Sequence, residues 1–151
     1  MELQDEIVIP ASRDVVYAAL NDPDVLRDCI PGCEELIKHS DTELEAKVVL
    51  KVGPVKAKFG GNVTLDPSQA PHGFSLTGEG SGGAAGFAKG GADVVLEEQD
   101  DGQTLLKYEA KAEIGGKLAQ LGSRLVQSTS KKLAAKFFKA FAERVGETET
   151  A

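Results

Sequence analysis

From Glu34 to Ile114 the chain alternates apolar and polar residues almost without pause, and one long stretch of helical spacing follows. That order leaves few folds open. Leu44, Ala46, Val48 and Leu50 share one strand face, as do Val55, Ala57, Phe59, Gly61, Val63 and Leu65. Phe74, Leu76 and Gly78 form the next set, then Ala92, Val94 and Leu96, then Leu106, Tyr108, Ala110, Ala112 and Ile114. The alternate positions Lys56, Lys58, Lys107, Glu109 and Lys111 are charged, so one sheet face meets water. Gly53-Pro54, Asp66-Pro67, Pro71 to Gly73 and Asp100-Asp101-Gly102 punctuate the runs as turns. An antiparallel sheet with one wet face must bury the other. The one long element able to cover it is Lys117 to about Val145, a helix of roughly 28 residues and about 42 Å.

Upstream, residues 2 to 10 alternate as a strand that Pro10 stops. Ser12 can cap a helix carrying Val15, Val16, Ala19 and Leu20, and Asp22-Pro23 opens a second short helix that Pro31-Gly32 ends. The expected order is β-α-α-(β)6-α: an α+β fold in which a curved antiparallel sheet of about seven strands grips a long C-terminal helix. One domain is expected over residues 1–145, with a short disordered tail at 146–151.

Composition narrows the function. A chain of 151 residues, 41% hydrophobic and 27% charged, suits one domain that buries roughly 70% of its unfolded surface. Aromatics make up 5% and Trp is absent, which leaves little material for stacking bases. The net charge of -7 also opposes phosphate binding, so nucleic acid is not expected as a partner. No apolar run approaches the ~18 residues of a membrane span, and the N-terminus lacks a signal peptide's basic and apolar regions. The expectation is an intracellular protein. Cys29 and Cys33 are too few for a disulfide scaffold, in keeping with a reducing compartment.

Several inward positions, Ala46, Ala57, Gly61, Gly78, Ala110 and Ala112, are small where a filled core would favour Val, Ile or Phe. Either the helix sits closer to the sheet there, or an apolar cavity opens between them; the cavity is the favoured reading. Beside this face lies the segment Gly78 to Gly91, in which seven glycines fall within fourteen residues and only Phe87 is large. Gly78, Gly80 and Gly83 formally spell G-x-G-x-x-G, with Glu98 twenty residues past the first. The dinucleotide fingerprint needs a helix after the glycines, and only Ala84 to Lys89 intervenes before more glycine. A P-loop fails as well, because Gly116-Lys117 is followed by Leu118 and lacks the earlier glycine. Two readings remain: a flexible or bulged hairpin, or a mobile flap over a cavity mouth with Phe87 as its apolar contact. The expected ligand wall combines Gly82, Gly83 and Phe87 with Phe59, Leu76 and Tyr108 of the sheet and Leu118, Leu121 and Leu125 of the helix. Arg124 could reach a polar ligand group, although a solvated helix arginine is the commoner case.

Catalytic and metal chemistry find little support. Zinc would need Cys29, Cys33, His39 and His72 to converge, and Pro31 makes the two thiolates poor neighbours. Both histidines are expected on the solvated surface. Every inward strand position is apolar or glycine apart from Tyr108, so no acid-base or nucleophile-base pair suggests itself. No catalytic residue and no metal ligand is assigned.

The helix carries a second signal. From Lys117 to Arg144 it holds seven basic residues against Glu143 alone, so the segment is +6 and the remainder -13. Leu118, Leu121 and Leu125 share a face, but steps of four to Leu133, Phe137 and Phe141 each overshoot a turn by ~40°. Either the helix wraps around the sheet, or Lys132, Lys136, Phe137, Phe138, Lys139 and Phe141 form a basic aromatic patch for a membrane surface or partner.

Four strings in order resemble the G-subunit family of carbon monoxide dehydrogenase. They are Asn21-Asp22-Pro23-Asp24-Val25-Leu26 through Cys29-Ile30-Pro31-Gly32-Cys33, Lys51-Val52-Gly53-Pro54-Val55-Lys56-Ala57, the Gly78 to Gly91 segment, and Gly115-Gly116-Lys117-Leu118-Ala119-Gln120-Leu121-Gly122-Ser123-Arg124. The resemblance spans nearly all of residues 1 to 145. It implies the START-like (SRPBCC) helix-grip fold, whose members enclose apolar ligands between sheet and helix. It further implies a non-catalytic accessory protein of a molybdenum-containing dehydrogenase of the carbon monoxide or xanthine-dehydrogenase type. Such a protein would have no cofactor of its own, would handle a quinone or other apolar ligand, and would recruit the enzyme to the inner face of the cytoplasmic membrane. Two alternatives stand beside this reading: a pure protein or membrane-surface adaptor without ligand, and a START-like enzyme acting on a polyketide or aromatic substrate. The enzyme would require a polar pair inside the cavity.

Overall fold

The computed structural model describes residues 1–150, with side chains through residue 146. Strand β1 (Glu2–Ile9) leads into helices α1 (Arg13–Leu20) and α2 (Pro23–Cys29). The strands β2 (Cys33–Lys38), β3 (Glu43–Val52), β4 (Val55–Asp66), β5 (Gly73–Ser81), β6 (Phe87–Glu98) and β7 (Thr104–Gly115) follow as a meander. Two helices, α3 (Lys117–Gln120) and α4 (Ser123–Thr150), close the order. The sheet reads β1-β7-β6-β5-β4-β3-β2 with every neighbouring pair antiparallel. The α1–α2 pair carries the chain from one sheet edge to the other, so β1 returns as the neighbour of β7. Both helices begin where expected. The Ser12 hydroxyl accepts from the Val15 amide at 3.5 Å, and the Asp22 carboxylate accepts from the Asp24 amide at 2.9 Å, with Pro23 in the first turn.

The C-terminal helix departs from the sequence expectation. It is not continuous from Lys117: α3 stops at Gln120, and Gly122 takes φ +95° before α4 starts. A left-handed glycine ends one helix and resets the phase of the next. From Val126 onward the inward stripe runs through Ser130, Leu133, Phe137, Phe141 and Val145, in steps of three and four residues. Leu121 and Leu125 drop out of that stripe, but the steps of four from Leu133 to Val145 remain, so the inward line drifts around α4 as the wrapping alternative expects. Phe141 is fully buried, and Phe137 and Phe138 pack against the core, so the aromatic half of the expected membrane patch is interior. Phe137 stacks on Phe141 at 5.8 Å between ring centres, and Tyr108 on Phe138 at 5.1 Å. The helix also runs to Thr150 where a tail was expected from 146; residue 151 lies outside the described residues.

The filled core occupies one half of the grip. Ile9, Val16, Leu96, Leu106, Phe141 and Val145 are each at most 2% exposed, and all lie toward the end of the sheet where β1 finishes and β7 begins. Thr104, also fully buried there, donates its hydroxyl to the Ala11 carbonyl at 2.8 Å and fastens the β1–α1 corner to β7.

At the opposite end the glycine-rich segment is an ordered hairpin. β5 and β6 pair from Gly73↔Val95 to Ser81↔Phe87, and the Gly82 amide donates to Gly86 O at 2.9 Å around a 3-10 turn at Gly83–Ala85. Its tip abuts the β7–α3 junction so closely that side chains are excluded. A Cβ on Gly86 (φ +124°) would overlap the Gly115 carbonyl, and one on Gly116 (φ +73°) would lie 2.5 Å from Gly86 Cα. Gly86 and Gly116 thus serve close backbone approach, within the hairpin that is one of the two readings of the segment. Gly116→Ala should therefore destabilise by roughly 3 kcal/mol or more, from strained backbone plus overlap. Gly83→Ala, at φ +62° with nothing within 4 Å of the added carbon, should cost only about 1–2 kcal/mol. Urea denaturation of both variants measures the difference; equal losses would contradict the close-approach explanation.

Candidate functional site

Where the core ends, the concave face of the sheet is lined by small residues. Ala46, Gly61, Gly78, Ala110 and Ala112, all expected as inward small positions, border a cavity of about 470 Å³ between the sheet, the C-terminal side of α2 and α4. A second lobe of about 260 Å³ continues it toward the β3–β4 hairpin and α3. The lobes share Leu50, Phe59, Gly80, Ala88, Ala112 and Leu133. Together they fall in the size range of small-molecule sites, ~300–1,000 Å³. The void follows from side-chain volume: α4 spans a sheet whose far half offers Leu and Phe and whose near half offers Ala and Gly, and close packing fails where the volume is missing.

The 260 Å³ lobe has no titratable side chain in its wall. Its polar groups are two neighbouring hydroxyls of α4, Thr129 and Ser130. Ser130 donates to the Val126 carbonyl at 2.8 Å, which leaves its oxygen free to accept. The surface suits a lipophile carrying at most one or two hydrogen-bonding groups. A buried acid-base pair, which enzymatic chemistry on a polyketide or aromatic substrate would need, is absent from this wall.

Of the expected ligand residues, Phe59, Leu76 and Leu118 line the cavity. Gly82 lies behind Phe59: a Cβ there would come within 2.7 Å of the ring, so the glycine lets the Phe59 ring lie flat beneath the hairpin tip. The other residues do not converge. Phe87 points to the outer face, 48% exposed, with its ring over Gly115. Gly83 is exposed at the turn with nothing near it. Tyr108 belongs to the core, stacked on Phe138, and burial pushes its phenol above the usual range, with Asp5 adding to the rise. Leu121 sits half-buried at the α3–α4 corner, Leu125 packs on Gly53 of the β3–β4 turn, and Arg124 is exposed. All three were placed by a helix phase that Gly122 breaks.

Several wall residues escaped the sequence reading. Val126, Thr129, Ser130 and Leu133 recur at i, i+3, i+4 and i+7, a signal legible once the helix is started at Ser123. Gly80 and Ala88 continue the period-2 sets already recognised in β5 and β6. Met1 contributes through the sheet, its ammonium donating to Ala112 O at 3.0 Å while Ala112 N donates back at 2.9 Å.

The remaining candidates lie outside the cavity. Cys29 is buried and Cys33 half-buried, both unbridged, and burial raises both thiols above their ordinary range. His39 pairs with Glu45 at 3.6 Å on the surface, and His72 Nδ1 meets Arg13 at 2.9 Å. No group of three or more His, Cys, Asp or Glu is placed to hold a metal among the described residues. Lys132, Lys136 and Lys139 are exposed on α4. No helix among the described residues is long and apolar enough to cross a membrane.

Comparison with known proteins agrees with this architecture. No curated protein matches the chain in sequence. A conserved protein of Geobacillus kaustophilus with a crystal structure is 27% identical, with a TM-score of 0.91 over 98% of this chain and 97% of that one. A START superfamily protein of Mycobacterium smegmatis shows a TM-score of 0.74 at 12% identity, over 97% of this chain and 98% of that one. A STAR-related lipid transfer protein of Xanthomonas axonopodis gives 0.64 at 19% identity, over 95% of this chain and 85% of that one. The latter two likenesses establish the START-like helix-grip fold. The family described as the carbon monoxide dehydrogenase G subunit (CoxG) matches residues 6–146, nearly the whole chain, and the chain belongs to that family.

Proposed function

We propose that this protein is a non-catalytic carrier of a hydrophobic small molecule, a quinone being the leading candidate, that serves a molybdenum-containing dehydrogenase of the carbon monoxide or xanthine-dehydrogenase type. The observation that carries the ligand is the apolar cavity under α4, with its Ala and Gly sheet wall and paired hydroxyls. A quinone has the matching chemistry: a flat apolar ring and tail, with carbonyls that can accept from the Thr129 hydroxyl, the Ser130 proton being held by Val126 O. The family name supports the enzyme partner. The protein itself supplies binding and shelter, without redox groups of its own, near the cytoplasmic face of the membrane.

A titration tests the ligand. A quinone at about 100 times its Kd should stabilise the protein by ~2.7 kcal/mol, which is roughly 5–10 °C in Tm for a chain of this size. Leu133→Trp, which places a larger ring into the void, should abolish that shift while changing intrinsic stability by less than about 1 kcal/mol; overpacking a filled core would instead cost about 1–3 kcal/mol. No shift with any quinone at saturation would remove the quinone.

One observation favours a second reading, an adaptor that holds the dehydrogenase without any ligand. Lys131, Lys132, Lys136 and Lys139 are exposed along α4, and none forms an ion pair among the described residues. Reversing Lys132, Lys136 and Lys139 to Glu separates the two by pull-down with the dehydrogenase. The adaptor reading expects capture to collapse and no quinone uptake by either protein, and undiminished capture would contradict it.

A further inference from the structure

The charge of this chain is sorted by position along the strands. All 24 acidic residues lie outside three segments, 46–65, 80–92 and 114–142, whereas eleven of the 17 basic residues lie inside them. The fold brings the turns of these segments to one end. There the β3–β4 turn carries Lys51 and Lys56, the β5–β6 turn carries no charge, and the β7–α4 junction carries Lys117 and Arg124. The turns at the other end carry the opposite sign: β2–β3 holds Asp41, β4–β5 begins at Asp66, and β6–β7 holds Asp100 and Asp101, with no Lys or Arg among them.

The cationic end is held in an unrelieved state. Lys51 and Lys56 are direct cross-strand partners, an arrangement that repels. Both are exposed, as are Lys117 and Arg124, and none of the four forms an ion pair among the described residues. On the sheet Lys47, Lys58, Lys107 and Lys111 each pair with a glutamate, whereas Lys131, Lys132, Lys136 and Lys139 of α4 form no ion pair among the described residues either. Between the four cations at this end, Pro54 and Ala119 are exposed and Leu121 half-exposed. The same junctions frame the cavity, whose wall at this end is Val52, Ile114, Leu118 and Val126.

We propose that this end of the fold is a docking surface for an anionic lipid bilayer, which it meets with the cavity foremost. Charge complementarity selects an anionic face, and the charge separation along the strands turns the acidic end away from it. The apolar cavity selects a bilayer over an acidic protein, because a lipophile moves between membrane and cavity at least cost where the two abut. This inference rests on the cavity being a lipophile site. Docking of the ligand-free protein is measured apart from uptake, so either can fail alone.

The test is cosedimentation with vesicles of equimolar phosphatidylcholine and phosphatidylglycerol, against phosphatidylcholine alone. The protein should bind the mixed vesicles, release in high salt, and ignore the neutral ones. Lys51→Gln/Lys56→Gln and Lys117→Gln/Arg124→Gln should each weaken binding by roughly tenfold or more. Ser68→Glu/Gln69→Glu lowers the net charge of -7 by the same two units at the far end and should change binding by less than about threefold. All variants keep the wild-type circular dichroism spectrum, since the altered side chains are exposed. Absence of binding to mixed vesicles would overturn the proposal and leave the cationic end to an acidic protein. Equal losses from the near-end and far-end pairs would overturn it too, reducing the effect to net charge.

Discussion

Everything in this structure depends on how one helix fills the concave face of one sheet. Toward its C-terminal half α4 meets Ile9, Leu96, Leu106 and the helices α1 and α2, and its Phe137, Phe141 and Val145 complete a dense core. Toward its N-terminal half it faces Ala88, Ala112 and Gly80, which cannot reach it. A single span of helix thus has a stability end and a binding end, because side-chain volume changes along the strands while the backbone spacing does not.

The glycines belong to the same division of labour. Gly86 and Gly116 let the β5–β6 tip and the β7–α3 junction touch backbone to backbone, and Gly82 lets the Phe59 ring lie under the tip. The hairpin tip thereby closes against the β7–α3 junction and behind Phe59, a wall residue of the narrow lobe. Gly122 turns the chain so that α4 enters with Val126, Thr129 and Leu133 facing inward. Close approach, more than mobility, explains why so many glycines gather at this end.

Much of this was legible in the sequence. Period-2 alternation placed the inward positions of β3 to β7 correctly, including the run of small residues that becomes the cavity wall, because one face is wet and the register is strongly determined. The helix was harder. One glycine within a helical pattern can be tolerated or can end it, and the backbone angle that decides is set by tertiary packing. Continuing the helix through Gly122 misplaced Leu121, Arg124 and Leu125 and left Phe137, Phe138 and Phe141 open between core wrapping, which the structure shows, and an exposed patch. Phe87 was misjudged for a different reason: as the one large residue among glycines it looked like a ligand contact, while strand parity puts it on the outer face beside Ser81. Charge polarity was countable in the residues, yet it gained meaning only when the meander assigned alternate turns to opposite ends.

The central claim is that the space under α4 holds a lipophile. Protein purified from its native cells without detergent, extracted with organic solvent and analysed by mass spectrometry, tests this most directly. One apolar compound bearing carbonyl or hydroxyl groups, in near-stoichiometric amount and lost in Leu133→Trp, is the expected result. An extract free of any such compound, from protein that also fails to take one up from quinone-loaded vesicles, would contradict it.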